Sequence, residues 1–348
     1  MIRFENDYAE GAHKRILQRI METNEEQTPG YGTDEHCEKA RTFIRKACGV
    51  ENADIHFLVG GTQTNTTIIS SILRPYQGAV AATTGHIAVH ETGAIEATGH
   101  KVLTLPSDDG KIRAQQVKEL YDAHWNDGAH EHMVQPGLVY ISHPTENGTT
   151  YNKSELEELS DVCQACDLPL VLDGARLGYG LASKDNDLTL TDIARLCDVF
   201  YIGGTKIGAM FGEAVVITND DLKKDFRYSI KQKGGMLAKG RLLGIQFETL
   251  FEDGLYDEIS THAVELAMVI RKAFVEEGFS LRYDSHTNQQ FPILPNSALM
   301  QLGQKYAFSL WEKVDDNHSV VRFCTSWATK KEHVEMLIED IKKLDLNG

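Results

Sequence analysis

No stretch of eighteen apolar residues occurs in this chain of 348, so no membrane-spanning helix is expected. The first twenty residues, MIRFENDYAEGAHKRILQRI, lack the apolar core of an export signal, which makes the cytoplasm the expected compartment. Basic residues are in deficit: 35 Lys+Arg against 51 Asp+Glu give a formal net charge of −16. Without a basic block, nucleic acid is not the expected partner. Repeats, low-complexity tracts and Pro-rich linkers are also absent. The six cysteines, at 37, 48, 163, 166, 197 and 324, are too sparse for a disulfide framework. Cys163 and Cys166 form a CxxC, but no second pair completes a zinc set. Ser154-Glu155-Leu156-Glu157 has the spacing of a capping box, and Leu156, Leu159, Val162, Cys163 and Cys166 then share one helical stripe. These thiols are therefore expected to pack as small hydrophobes. His124, His130 and His132 flank the loop signal Asn126-Asp127-Gly128, and no metal is expected there.

What is present is an alternation. Short apolar runs at 55–59, 79–82, 100–105, 137–142, 169–172, 198–202 and 213–217 are separated by amphipathic stretches such as 64–73, 113–125 and 155–166. Near-continuous apolar strands alternating with helices predict an α/β fold, a mostly parallel sheet sandwiched by helices. The short link 203–212 predicts that its flanking strands run antiparallel. After about 240 the pattern changes to a long helix with Leu255, Ile259, Leu266, Val269, Ile270 and Phe274 on its apolar face. Strands near 279–282, 290–294 and 319–324 follow, then a last helix opened by the box Thr329-Lys330-Lys331-Glu332. The expected division is an N-terminal arm (1–15), a large domain (16–240) and a small α+β C-terminal domain (241–348).

In such a sheet, ligands bind beyond the carboxyl ends of the strands. Three segments put special residues there. Val59-Gly60-Gly61-Thr62-Gln63-Thr64-Asn65 runs from a strand through glycines into a helix, which suits an anion such as phosphate. The alternative is an ordinary turn with Thr62 as N-cap. Leu172-Asp173-Gly174-Ala175-Arg176 ends an apolar strand in an acid that needs a partner, or else pairs with Arg176 or caps a helix. Ile202-Gly203-Gly204-Thr205-Lys206 ends another in a lysine; burial favours its neutral, nucleophilic form unless the side chain snorkels out. A phosphate cradle, an acid and a desolvated lysine on neighbouring strand ends are what pyridoxal 5'-phosphate requires: a lysine for the Schiff base and an acid for the pyridine nitrogen.

With these motifs the sequence resembles pyridoxal-phosphate enzymes of the aspartate aminotransferase fold, and among them the low-specificity L-threonine aldolases of the β-eliminating lyase superfamily. Further segments carry the likeness: Phe4-Glu5-Asn6-Asp7-Tyr8, Tyr31-Gly32-Thr33-Asp34, and Arg322-Phe323-Cys324-Thr325-Ser326-Trp327-Ala328-Thr329. The resemblance implies Lys206 as the Schiff-base lysine, Asp173 as pyridinium partner, and Gly61 and Thr62 as phosphate ligands. It implies His86 as ring-stacking histidine and acid/base, with Arg176 and Arg322 on the substrate carboxylate. Tyr31 and Asn6 would complete the substrate site, Asn6 standing where the family has serine. Lys233, in the basic stretch Lys231–Gly235, would reach the phosphate of a neighbouring subunit, implying a homodimer or homotetramer with shared active sites. The implied reaction is retro-aldol cleavage of L-threonine or L-allo-threonine to glycine and an aldehyde. The alternatives are β-elimination on the same scaffold, or a non-catalytic binding protein.

Overall fold

Seven short strands rich in Val, Ile, Leu and Ala build the central sheet: β1 (Asp54–Leu58), β2 (Gln77–Ala82), β3 (Val102–Leu105), β4 (Gln135–Ser142), β5 (Leu170–Asp173), β6 (Val199–Gly203) and β7 (Glu213–Ile217). The structure, a computed structural model, describes residues 1–344. Strand order is β1-β7-β6-β5-β4-β2-β3. Only β7 runs antiparallel to its neighbours, as the short 203–212 link requires; the remaining pairs are parallel. The fold is thus the α/β class expected, with the sheet set among helices.

The period-2 rule decides which strand residues face the site. Val139, Ile141, Leu170, Leu172, Phe200 and Ile202 pack into the core on one face of the sheet. Leu138, Tyr140, Val171, Val199 and Tyr201 pack on the other. Continuing the alternation, Ser142 and Asp173 fall on the Tyr140–Tyr201 face, and the β4–β5 register pairs them side by side. One face of the sheet therefore carries a polar end, and that end is where the strands open.

Beyond the large sheet, strands β8 (Gln289–Gln290), β9 (Ile293–Pro295), β10 (Ser309–Lys313) and β11 (His318–Cys324) form a small antiparallel sheet. Phe4, Phe274, Phe279, Tyr306 and Phe323 pack beside it. The N-terminal strand Ile2–Arg3 pairs with Tyr306–Ala307, so the start of the chain lies against the C-terminal unit. The helix Arg241–Glu252 packs on Glu35–Cys48, where Cys37 Sγ lies 3.6 Å from the Gly240 carbonyl.

Several local expectations are corrected. The box at 154–157 is displaced: Asn152 is the N-cap and Glu155 its reciprocal partner, so the helix starts at Lys153. Thr329 does not cap the last helix, which runs Lys331–Ile341 behind Lys330; its hydroxyl accepts from the Ser326 amide instead. Thr62 lies inside the first turn of the helix Gly61–Ile72, whose N-cap is Gly60. Val269, expected on the apolar face of Leu255–Glu276, is 45% exposed. Residues 279–282 make an isolated bridge, Leu281 with Pro292, rather than a strand. The edge strand β10 was not foreseen, because its alternation is weak and its outer face charged. All six cysteines are free and buried, as expected of packing thiols. Among the described residues no helix is long and apolar enough to cross a membrane.

The turns after β5 and β6 press together. A Cβ on Gly174 would fall on the Tyr201 carbonyl, and one on Gly203 on the Ala175 backbone. Gly174→Ala is therefore expected to destabilise the chain by ~1–3 kcal/mol through overpacking, read as a lower urea midpoint at unchanged m-value.

Candidate active site

Strand ends converge on a cleft lined by Gly61, His86, Ser142, Glu146, Asp173, Arg176, Tyr201 and Lys206. At the end of β1 the helix Gly61–Ile72 begins without a side-chain cap. Its intrahelical bonding starts with the Thr64 amide on the Gly60 carbonyl at 3.0 Å, so the amides before it point outward, ready for an anion. No atom lies within 4 Å of where a Cβ on Gly60 would sit. The absence of a side chain there leaves room beside the helix start.

Asp173, at the end of β5, is buried yet held as a carboxylate. The Tyr140 hydroxyl donates to its Oδ2, the Ala175 amide to Oδ1 at 2.9 Å, and Asn65 Nδ2 approaches Oδ2 at 3.4 Å. Burial pushes its pKa up, but the charge of His86 and the Tyr140 hydrogen bond outweigh it, leaving Asp173 below the usual carboxylate range. The Tyr201 hydroxyl is buried with no hydrogen-bond partner among the described residues, 3.5 Å from the Cβ position of Gly61.

His86 opens a short helix, His86–Val89. Its Nδ1 lies 2.9 Å from Glu91 Oε1, which also accepts from Asn65 Nδ2 at 2.7 Å. Its backbone amide donates to Glu146 Oε1 at 2.9 Å. Burial lowers the His86 pKa, but Glu91 and Asp173 overcome that and hold it above the ordinary value.

Lys206 follows β6 on a turn tied down by its neighbours. The Tyr179 hydroxyl donates to the Lys206 carbonyl at 2.5 Å, and the Gly204 amide to buried Glu213 Oε2 at 3.2 Å. Burial, reinforced by the positive charge of Arg176, lowers the lysine's pKa against the pull of Asp7, Asp173 and Glu213. A lysine so placed is a better nucleophile at neutral pH. Burial likewise pushes Glu213 up to about 8 despite Lys206.

The two arginines differ. Arg176 is forked onto Asp7, Nε to Oδ2 at 2.6 Å and Nη2 to Oδ1 at 2.9 Å. Asp7 is fully buried and also accepts from Asn288; burial raises its pKa, but Arg176 brings it down to about 2. Asp173 accordingly does not pair with Arg176, as one of the sequence alternatives had it. Arg322, on β11, donates to the Glu5 carbonyl at 3.0 Å and to Gln289 Oε1 at 3.2 Å, and lies 5.0 Å above the Trp311 ring. It has no carboxylate partner among the described residues, so its charge is available to an acid from outside.

Other expected residues lie elsewhere. Tyr31, at φ +62 and 48% exposed, sits outside this cleft with Arg227, Tyr228, Lys231 and Met236; the Lys231 ammonium is 5.0 Å from its ring. The Lys233 carbonyl accepts from Gln63 Nε2 at 3.0 Å, which ties the basic stretch to the same chain's helix start. Asn6 turns its Oδ1 onto the Tyr8 amide at 3.0 Å, a local turn. Thr62 is exposed at the cradle. Sequence reasoning passed over Asp7, Asn65, Glu91, Glu146 and Glu213. Asp7 and Asn65 stood inside motifs already quoted, and an unpaired acid near the N-terminus was the available signal for Asp7. Trp311 had none, because its strand was not foreseen.

Residues 11–295 match the Beta-eliminating lyase family. The chain belongs to that family. It is 29% identical over 343 residues, 97% of this chain and 96% of the relative, to a low specificity L-threonine aldolase of a Pseudomonas species. A Leishmania major threonine aldolase structure is 47% identical, covers 99% of both chains and superposes with a TM-score of 0.96. A Thermus thermophilus aspartate aminotransferase, 13% identical with a TM-score of 0.73 over 99% of this chain and 91% of the other, shares the fold. For a member of this family the donor set fits pyridoxal 5'-phosphate. The free amides of the helix start would hold a phosphate, charged Asp173 would face a ring nitrogen, and Lys206 lies in the same cleft.

Proposed function

We propose that this chain cleaves β-hydroxy-α-amino acids of the L-threonine type to glycine and an aldehyde. The observation that carries the reading is full-length similarity to the Leishmania major threonine aldolase, 47% identical, in a chain whose own Lys206 and Asp173 line one cleft. Pyridoxal 5'-phosphate, when bound, supplies the electron sink for the bond broken at Cα.

The chain's residues do the rest. The uncapped start of Gly61–Ile72, with Gly61 and Thr62, holds the phosphate. Asp173 stays ionised against full burial and keeps a proton on the ring nitrogen. Arg322 takes the substrate carboxylate, which fixes the bond at Cα presented for cleavage. Arg176 braces that wall: its fork onto Asp7 pins the N-terminal segment carrying Asn6 against the cleft. Lys206, its pKa lowered by burial, is the nucleophile and proton carrier at Cα. Six free thiols support a reducing, cytoplasmic setting.

The test is product analysis of the loaded enzyme with L-threonine, L-allo-threonine and L-serine. Stoichiometric glycine and aldehyde support the reading. Ammonia and a 2-oxo acid would replace it with β-elimination.

The working unit is a homodimer or larger, with shared sites. Support comes from the exposed patch of Tyr31 and Tyr228 beside Lys231, where 48% and 78% exposed aromatics await cover. Mixing inactive Lys206→Ala with inactive Lys233→Glu and allowing subunit exchange is expected to restore part of the activity, because one hybrid site regains both groups. No recovery after proven exchange would assign Lys233 to its own chain's site, where Gln63 already holds its backbone.

A further inference from the structure

The reaction proposed above needs a base for the substrate's β-hydroxyl; His86 lines the cleft, and His90 follows it by one helical turn, outside the lining. His86 faces the cleft with Nδ1 engaged by Glu91 at 2.9 Å. The His90 ring lies 5.6 Å from that of His86, centroid to centroid, and 6.5 Å from the ring of Trp311. Trp311 in turn carries the Arg322 guanidinium at 5.0 Å. His90 thus stands between the group over the cleft and the arginine left free for the substrate carboxylate. An amino acid held by its carboxylate on Arg322 would carry Cβ toward His90, since Cβ is one bond from the carbon that bears the carboxylate. His90 is exposed and its ring nitrogens have no hydrogen-bond partner among the described residues, so it can take a proton and pass it to solvent.

We propose that the His90 imidazole takes the β-hydroxyl proton of the substrate as the Cα–Cβ bond breaks. The O–H bond is lost to the imidazole, and its electron pair closes the aldehyde C=O. The Cα–Cβ pair remains with Cα, which is reprotonated to give glycine. Charge favours this division of labour. Partial burial and the positive charge of His86, Arg322 and Arg176 hold His90 below the ordinary histidine value, so it is a neutral base at pH 7. His86 is held the other way by Glu91 and Asp173. Environments that push two titratable groups apart assign one as acid and one as base. Glu146 is the other candidate: it lines the cleft and its Oε2 has no partner among the described residues, but full burial and the charge of Asp173 raise its pKa, which disfavours the carboxylate form a base needs.

The inference rests on the aldolase reading, so the experiment reads both. The loaded wild-type enzyme is first assayed for aldehyde from L-threonine; ammonia and 2-oxo acid instead would overturn the reading and the inference together. With aldehyde formed, His90→Phe keeps an aromatic ring beside Trp311 and is expected to lower kcat by ~100-fold or more. Its half-saturation by glycine, followed by the absorbance change on binding, is expected to stay within about twofold of wild type, since glycine has no β-hydroxyl. The acidic limb of the wild-type kcat profile should vanish, and added imidazole should restore part of the turnover of His90→Ala. Unchanged kcat, equal losses of glycine binding and turnover, or no imidazole rescue would each remove His90 from the proton transfer.

Discussion

Turnover is expected to disappear in Lys206→Ala, by more than ~10³-fold, because one side chain serves both as nucleophile and as proton carrier at Cα. The structure explains why no neighbour substitutes. Lys206 stands on a turn fixed from both sides, by the Tyr179 hydroxyl on its carbonyl and by Glu213 on the Gly204 amide. Its ammonium is surrounded by Arg176, Asp7, Asp173 and Glu213, and among the described residues no second lysine lines the cleft. Lys206→Arg should be equally inactive: it keeps the charge but forms no imine with a carbonyl. The measurement is borohydride reduction of the loaded protein followed by mass analysis. A reduced adduct persisting in Lys206→Ala would move the bond to another lysine. The fold should survive, since the turn is held through backbone atoms.

Asp173→Asn is expected to lower kcat by ~100-fold or more with a much smaller change in cofactor affinity. Asparagine keeps the volume and one of the two acceptor positions that Tyr140 and the Ala175 amide occupy, and the binding groups at the helix start are untouched. What is lost is a fixed negative charge in a buried site, and with it the proton on the ring nitrogen. A second readout follows from the sign of the coupling. Asp173 raises the His86 pKa, so removing its charge should move the His86 titration downward, visible by NMR of the imidazole. An unchanged kcat with an unchanged His86 titration would reduce Asp173 to a packing residue.

The order of elements was legible in the sequence because parallel strands buried on both faces read as apolar runs, and each of the seven runs became a strand within two residues of its expected start. Asp173 and Lys206 were legible for the same reason: a charged residue at the end of an apolar strand contradicts its surroundings unless chemistry uses it. Helix starts were less so. At 152–155 two capping patterns overlap, and the side-chain geometry that favours Asn152 over Ser154 is set only once the preceding turn is placed.

What the sequence by itself determined is therefore the sheet, its polar end and the residues that meet there along three strands. Tertiary structure decided the partners. Asp7 and Arg176 are 169 positions apart, and their fork exists only because Ile2–Arg3 pairs with Tyr306–Ala307 and carries the N-terminal segment across to the cleft. The same packing leaves Arg322 without a carboxylate among the described residues and brings His90 beside Trp311. Local propensity acts over a few residues, whereas which charge neutralises which depends on the long-range path of the backbone.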